Sequence, residues 1–217
     1  DCLIFLNFSN DYHGLSVYGE EWQFIIEIRK PFMEVKMKEA NNRNFYERIH
    51  TVRDLIDNSA EFYGDKPFIK YLKGEEIVEK SFKDLRENSL AICRYIRSIN
   101  PERMHIAIIG KTTYEYITAL TGILVSGNVF APFAPNISVE EAVELFKSGD
   151  IDAIFYDSDF EEKAVLIEKE TGNLKASVNM GNSEWFEDKY EKYSGSSEFA
   201  QLSKIELDPR ECAAIIF

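Results

Sequence analysis

From Thr51 onward the apolar residues fall into regular patterns. In TVRDLIDNSAEFYG, Val52, Leu55, Ile56 and Phe62 share one helical face, and Gly64 stands where a left-handed helix end is expected. FIKYLK and EEIVEKS then read as two strands of an antiparallel hairpin, joined by a tight turn at Lys73-Gly74-Glu75. Ser81 with Asp84 three residues later can satisfy the free amides of a helix start, and Leu85, Leu90, Ile92 and Ile96 continue the stripe, which predicts a helix over about 82–98.

The rest of the chain alternates. Met104 to Ile109 is a β-rich run, Tyr114 to Val125 is helical, and Asn128 to Pro132 is short and extended, with Gly127 marking the break. Ser138, with Glu141 three residues on, opens a helix by the same capping chemistry; Val139, Ala142, Val143, Leu145 and Phe146 give it a buried face, and Gly149 ends it. Ile151 to Tyr156 reads as a strand, Phe160 to Lys169 as a helix and Leu174 to Val178 as a weaker strand. Strands alternating with helices of this length need crossover connections, so the predicted class is α/β, a mostly parallel sheet with helices on both faces.

Both ends are less regular. Residues 1–32 mix short apolar pieces with turn residues and show no sustained period, whereas Met33 and Met37 precede a polar stretch like a natural N-terminus. Residues 1–32 are therefore expected to be an extension upstream of the true start, the alternative being an N-terminal hairpin packed on the domain. Residues 182–204 are rich in Ser, Glu, Lys and Tyr and read as a long surface connection. CAAIIF, ending at Phe217, reads as an apolar strand with no turn or polar tail after it, so 33–217 are expected to be the first part of a domain cut within a strand.

Composition narrows the function. The 217 residues carry 25 Lys and Arg against 38 Asp and Glu, a formal charge of -13 that repels nucleic acid and anionic lipid. No apolar run nears the roughly 18 residues that span a bilayer, and the start lacks the basic and apolar regions of a secretory signal. A cytoplasmic protein is expected, in which the sequons at Asn7 and Asn136 carry no meaning. Cys2, Cys93 and Cys212 are far apart, without a CxxC pair, and are expected to be reduced; Cys93 and Cys212 read as small buried hydrophobes.

The strongest chemical lure is IAIIGKTT, because a strand, Gly-Lys-Thr and then a helix is how an NTPase phosphate loop ends. That loop needs a glycine five residues before the second one, and this position holds His105. Lys111, Thr112 and Thr113 then form a strand-to-helix turn, with Thr113 as a possible cap. There is no GxGxxG and no GxSxG, and His13, His50 and His105 fall in different elements, with His105 read as a satisfied core or edge residue. The carboxylates of EEAVELFKSGDIDAIFYDSDFEEK read as helix-start and solubility charges, not metal ligands.

Taken in order, SFKDLRENSLAICRYI and MHIAIIGKTTYEYITALTGILVSGNVFAPFAPNISVEEAVELFKSGDIDAIFYDS resemble the first half of the large N-terminal domain of adenylate-forming enzymes, which include acyl-CoA synthetases, luciferases and peptide-synthetase adenylation domains. Ser81 to Leu85 stands for the motif that opens the family's first long helix, and Gly127, Pro132, Ser138 and Glu141 occupy matching places further on. YEYITALTGILVSGNVFAPF, with its Glu115-Tyr116 pair, is similar to the long-chain acyl-CoA synthetase branch, from which Asn136 departs. The resemblance covers about Thr51 to Phe217 and implies ATP, Mg2+ and coenzyme A as cofactors, with a small carboxylic acid, fatty in class, as substrate. It carries over no catalytic or metal residue to this chain and leaves the cofactor-binding residues unknown, because the family's phosphate loop, ribose-binding acid and catalytic lysine all come later. The non-enzyme alternative is a freestanding α/β binding or interaction module.

Overall fold

The structure, a computed structural model, describes the backbone of residues 3–9 and 12–18, and residues 47–73, 75–182, 188 and 205–217. The expected surface connection at 182–204 and the polar stretch after Met37 lie almost wholly outside the described residues. Near the N-terminus, β1 (Leu3–Ser9) pairs antiparallel with β2 (Tyr12–Tyr18).

Two capping boxes start the helical part. Thr51 and Asp54 cap α1 (Val52–Tyr63), with Asp54 N donating to Thr51 Oγ1 at 3.2 Å and Thr51 N to Asp54 Oδ2 at 2.9 Å. Ser81 and Asp84 do the same for α2 (Phe82–Ile99), at 3.0 and 2.7 Å. Between these helices lies the hairpin of β3 (Pro67–Lys73) and β4 (Glu76–Ser81). The apolar stripe of α2 is buried as its spacing predicts, whereas Phe62 of α1 is 40% exposed. Phe62 lies in the last turn, and it packs edge-on against Tyr63 instead of entering the core.

A four-stranded parallel sheet follows: β5 (His105–Ile109), β6 (Val129–Phe133), β7 (Ala153–Tyr156) and β8 (Ala176–Asn179), in spatial order β6-β5-β7-β8. The crossovers are α3 (Tyr114–Val125), α4 (Val139–Ser148) and α5 (Glu161–Thr171). Alternate strand residues enter two separate cores. Ile106, Ile108, Phe130 and Phe155 pack with α1, α2 and α3, while Ala107, Ile109, Phe133 and Ile154 pack with α4 and α5. Cys93 lies in the first core and is fully buried; burial pushes its thiol up to about 11, against the opposing pull of Arg53, Arg97 and Arg94.

Three sequence expectations need correction. Ser138 accepts from Glu141 N at 3.1 Å, but only this half of a capping box is made. CAAIIF is not a regular strand: a single parallel bridge joins Ala214 to Phe130, with Phe130 N donating to Ala213 O at 3.0 Å and Ile215 N to Phe130 O at 2.9 Å. Cys212, read as buried, is exposed there, since its segment lies along one edge of β6 with Ile216 73% exposed.

The contact between α2 and α3 depends on Gly122. A Cβ there would lie 2.6 Å from Ile92 Cγ2, 2.8 Å from Ile92 Cβ and 3.1 Å from Ser89 O. Gly122→Ala should therefore lower stability in urea unfolding by roughly 1–3 kcal/mol, even though Ala is the better helix former. The raised thiol pKa gives a second expectation. The folded state keeps Cys93 protonated while the unfolded chain loses that proton above its ordinary value of 9.0, so this part of the stability is full below pH 9 and lost as pH rises towards about 11. An alkaline unfolding series should show that loss in the wild type and less of it in Cys93→Ala, and a thiol reagent at neutral pH should label Cys212 long before Cys93.

Candidate functional site

Because β5 to β8 are parallel, all four carboxyl ends open on one rim. The chain leaves β5 for α3 on one face of the sheet, and leaves its neighbours β6 and β7 for α4 and α5 on the other. This reversal makes the carboxyl end of β5 a topological switch point, the place outside which open α/β sheets bind ligands.

Two glycines let the loops at this end pack closely. A Cβ on Gly110 would meet Met180 Cε at 2.9 Å and Asp157 Cβ at 3.1 Å; one on Gly181 would meet Asp157 Oδ1 at 2.2 Å and Ser158 N at 2.7 Å. The ends of β5, β7 and β8 thus close on one another behind the rim. Polar contacts tie the same loops together. Lys111 Nζ pairs with Asp159 Oδ2 at 2.6 Å, and Ser158 Oγ donates to Asn179 Oδ1 at 3.0 Å. The Tyr156 hydroxyl is pushed above its ordinary range by burial first and then by Glu161 and Glu168.

The residues weighed in the sequence take up distinct places. Lys111 and Thr112 do form a strand-to-helix turn, and Thr113 Oγ1 caps α3 by accepting from Tyr116 N at 3.2 Å. Gly110 lets the strand ends pack. His105 lies at the opposite, amino end of β5, where its Nδ1 is 2.7 Å from Gly149 O. His50 is exposed before α1, and His13 lies in β2. Among the described residues no group of three His, Cys, Asp or Glu side chains could hold a metal ion.

One carboxylate departs from the reading as solubility charge. Asp152 accepts from His105 N at 2.9 Å and pairs with Lys175 at 2.8 Å, so it stitches the amino ends of β5, β7 and the approach to β8. Asn128 does the same beside it, accepting from Met104 N at 2.7 Å. Of the rim residues, Asp157 and Asp159 fall in the run read as helix-start and solubility charge, and Ser158 and Asn179 were not singled out by sequence. Their signal was position: each follows or ends an apolar run that becomes a parallel strand.

The family model described as AMP-binding enzyme matches residues 56–217. Solved structures share the fold. A long-chain-fatty-acid-CoA ligase (FadD1) from Archaeoglobus fulgidus superposes with a TM-score of 0.65 at 17% identity, over 78% of this chain and 34% of its own. VinN gives 0.62 at 16%, over 76% and 39%. It has also been solved in complex with 3-methylaspartate and with L-aspartate. A fatty acyl CoA synthetase from Mycobacterium tuberculosis gives 0.61 at 9%, over 77% and 32%. The chain thus spans about a third to two-fifths of the length of these structures. No curated protein sequence matches it.

The first residue of α3 fixes the rim to the helices behind it. Tyr114 is buried, its hydroxyl accepts from Asn88 Nδ2 of α2 at 2.8 Å, and its ring stacks on Tyr71 of β3 with centroids 6.2 Å apart. Tyr114→Phe leaves the buried Asn88 amide without this acceptor and should cost roughly 1–3 kcal/mol in denaturant unfolding. Adding Asn88→Leu should recover part of that loss, and a simple sum of the two single effects would show the pair is not coupled.

Proposed function

The chain belongs to the AMP-binding enzyme family, and on that premise we propose that the protein is an ATP-dependent, adenylate-forming ligase that activates a small carboxylic acid, fatty in class, and passes the acyl group to the thiol of coenzyme A. The observation that carries this reading is the family match over residues 56–217, which coincides with the whole α/β part of the chain. The fatty class is supported by the two fatty-acid enzymes among the similar structures, against which VinN with its aspartate complexes stands as the competing precedent.

In this reading residues 33–217 form the first part of the adenylating domain and residues 1–32 an extension, which the start of the family match at residue 56 supports. The protein works in the cytoplasm, where ATP and coenzyme A are at hand. ATP, Mg2+ and coenzyme A find no built site among the described residues. The turn at 110–113 is short and packed from behind, and Lys111 already faces Asp159. The groups that hold nucleotide and metal therefore come from the part of such enzymes that this chain does not span. What this chain supplies is the rigid rim on which the cleft is built.

The test is ATP-dependent pyrophosphate release by the full-length protein with fatty acids of several lengths and with amino acids including aspartate. Release with fatty acids, followed by thioester formation when coenzyme A is added, is the expected result. Release with amino acids alone would overturn the fatty class. No release with any of these acids would overturn adenylation and leave the freestanding binding module as the better account.

A further inference from the structure

The loop from β6 to α4 lies on the same rim. Ala134, Pro135 and Asn136 are exposed, and within the loop Ile137 N donates to Ala134 O at 3.1 Å. A stronger hold comes from far along the chain. Lys163, in the first turn of α5, donates from Nζ to Pro135 O and to Ile137 O, each at 2.7 Å. Its ammonium also lies 5.8 Å from the centroid of the Phe160 ring.

This lysine stands where a helix least favours one. The first turn of α5 reads Glu161-Glu162-Lys163, and a cation there opposes the positive end of the helix dipole. A side chain that breaks a local preference marks a position answering to another demand. Here the demand is plain: two carbonyls of a neighbouring loop are bound by charge-assisted hydrogen bonds that no neutral side chain would match.

We propose that Lys163 is a positioning residue, which fixes the β6–α4 loop as one wall of the substrate cleft and so sets how well the uncharged body of the carboxylic acid binds. The proposal rests on the adenylating reading above. The neutral part of the substrate is the part in question because Ala134, Pro135 and Asn136 bring no cation to a phosphate, and Lys163 is turned onto the loop's own backbone.

The experiment uses the full-length protein with Lys163→Met, which keeps the aliphatic stem and removes the donors, and Lys163→Arg, which keeps charge and donors. Amide hydrogen exchange should quicken at residues 136–138 in Lys163→Met and stay near wild type elsewhere. KM for the acid should rise about tenfold with kcat changed less than about twofold, since a lost hold on substrate geometry of roughly 1.4 kcal/mol is a factor of ten. Lys163→Arg should restore both. Unchanged exchange overturns the clamp, and quickened exchange with an unchanged KM overturns the positioning role. If the wild type releases no pyrophosphate with any acid, the adenylating reading falls and the positioning role with it, while the exchange result still judges the clamp.

Discussion

A parallel strand must bury both of its faces, because the helices that connect it to the next strand come to lie on the sheet. Almost every feature of this chain follows from that requirement. It makes β5 nearly continuous in apolar residues, with Ile106 and Ile108 in one core and Ala107 and Ile109 in the other. It calls for helix layers on both faces, and it sends the crossovers to opposite sides of β5. The switch point at the carboxyl end of β5 is what that topology creates.

The two rims of the sheet solve different problems. At the amino ends, Asn128, Asp152 and His105 use their side chains to take up backbone amides and carbonyls, so this rim is closed by hydrogen bonds. At the carboxyl ends, glycines 110 and 181 let three strand termini meet, and exposed charges stand around them. One rim is held together by its own polar groups, and the other presents polar groups outward.

The sequence was most legible where one physical rule acted alone. Alternation of apolar runs with amphipathic stretches gave the order of elements from Val52 to Asn179, and Ser81 with Asp84 marked a helix start that forms as a full capping box. Reading failed where tertiary placement decided. Cys212 and Phe62 are apolar by type, yet one sits in a segment held by a single bridge and the other in a last turn facing out. Asp152 resembles any surface carboxylate until the strand ends around it are in place. The rim residues were opaque for the same reason: their meaning lies in the meeting of three loops that are far apart in sequence, and no single motif carries it.

The charges on the rim define what this part of the protein can contribute. Joining a carboxylate to the phosphate of a nucleotide brings two anions together, and the transition state needs positive charge aimed at the oxygens where charge develops. Asp157, Asp159, Glu161 and Glu162 line this rim or its first helical turn, so its own field opposes that approach. Its two lysines are committed to protein partners, Lys111 to Asp159 and Lys163 to the carbonyls of Pro135 and Ile137. These residues can therefore give position, and they cannot give neutralisation. In the proposed ligase the cations that neutralise this charge would therefore come from other segments.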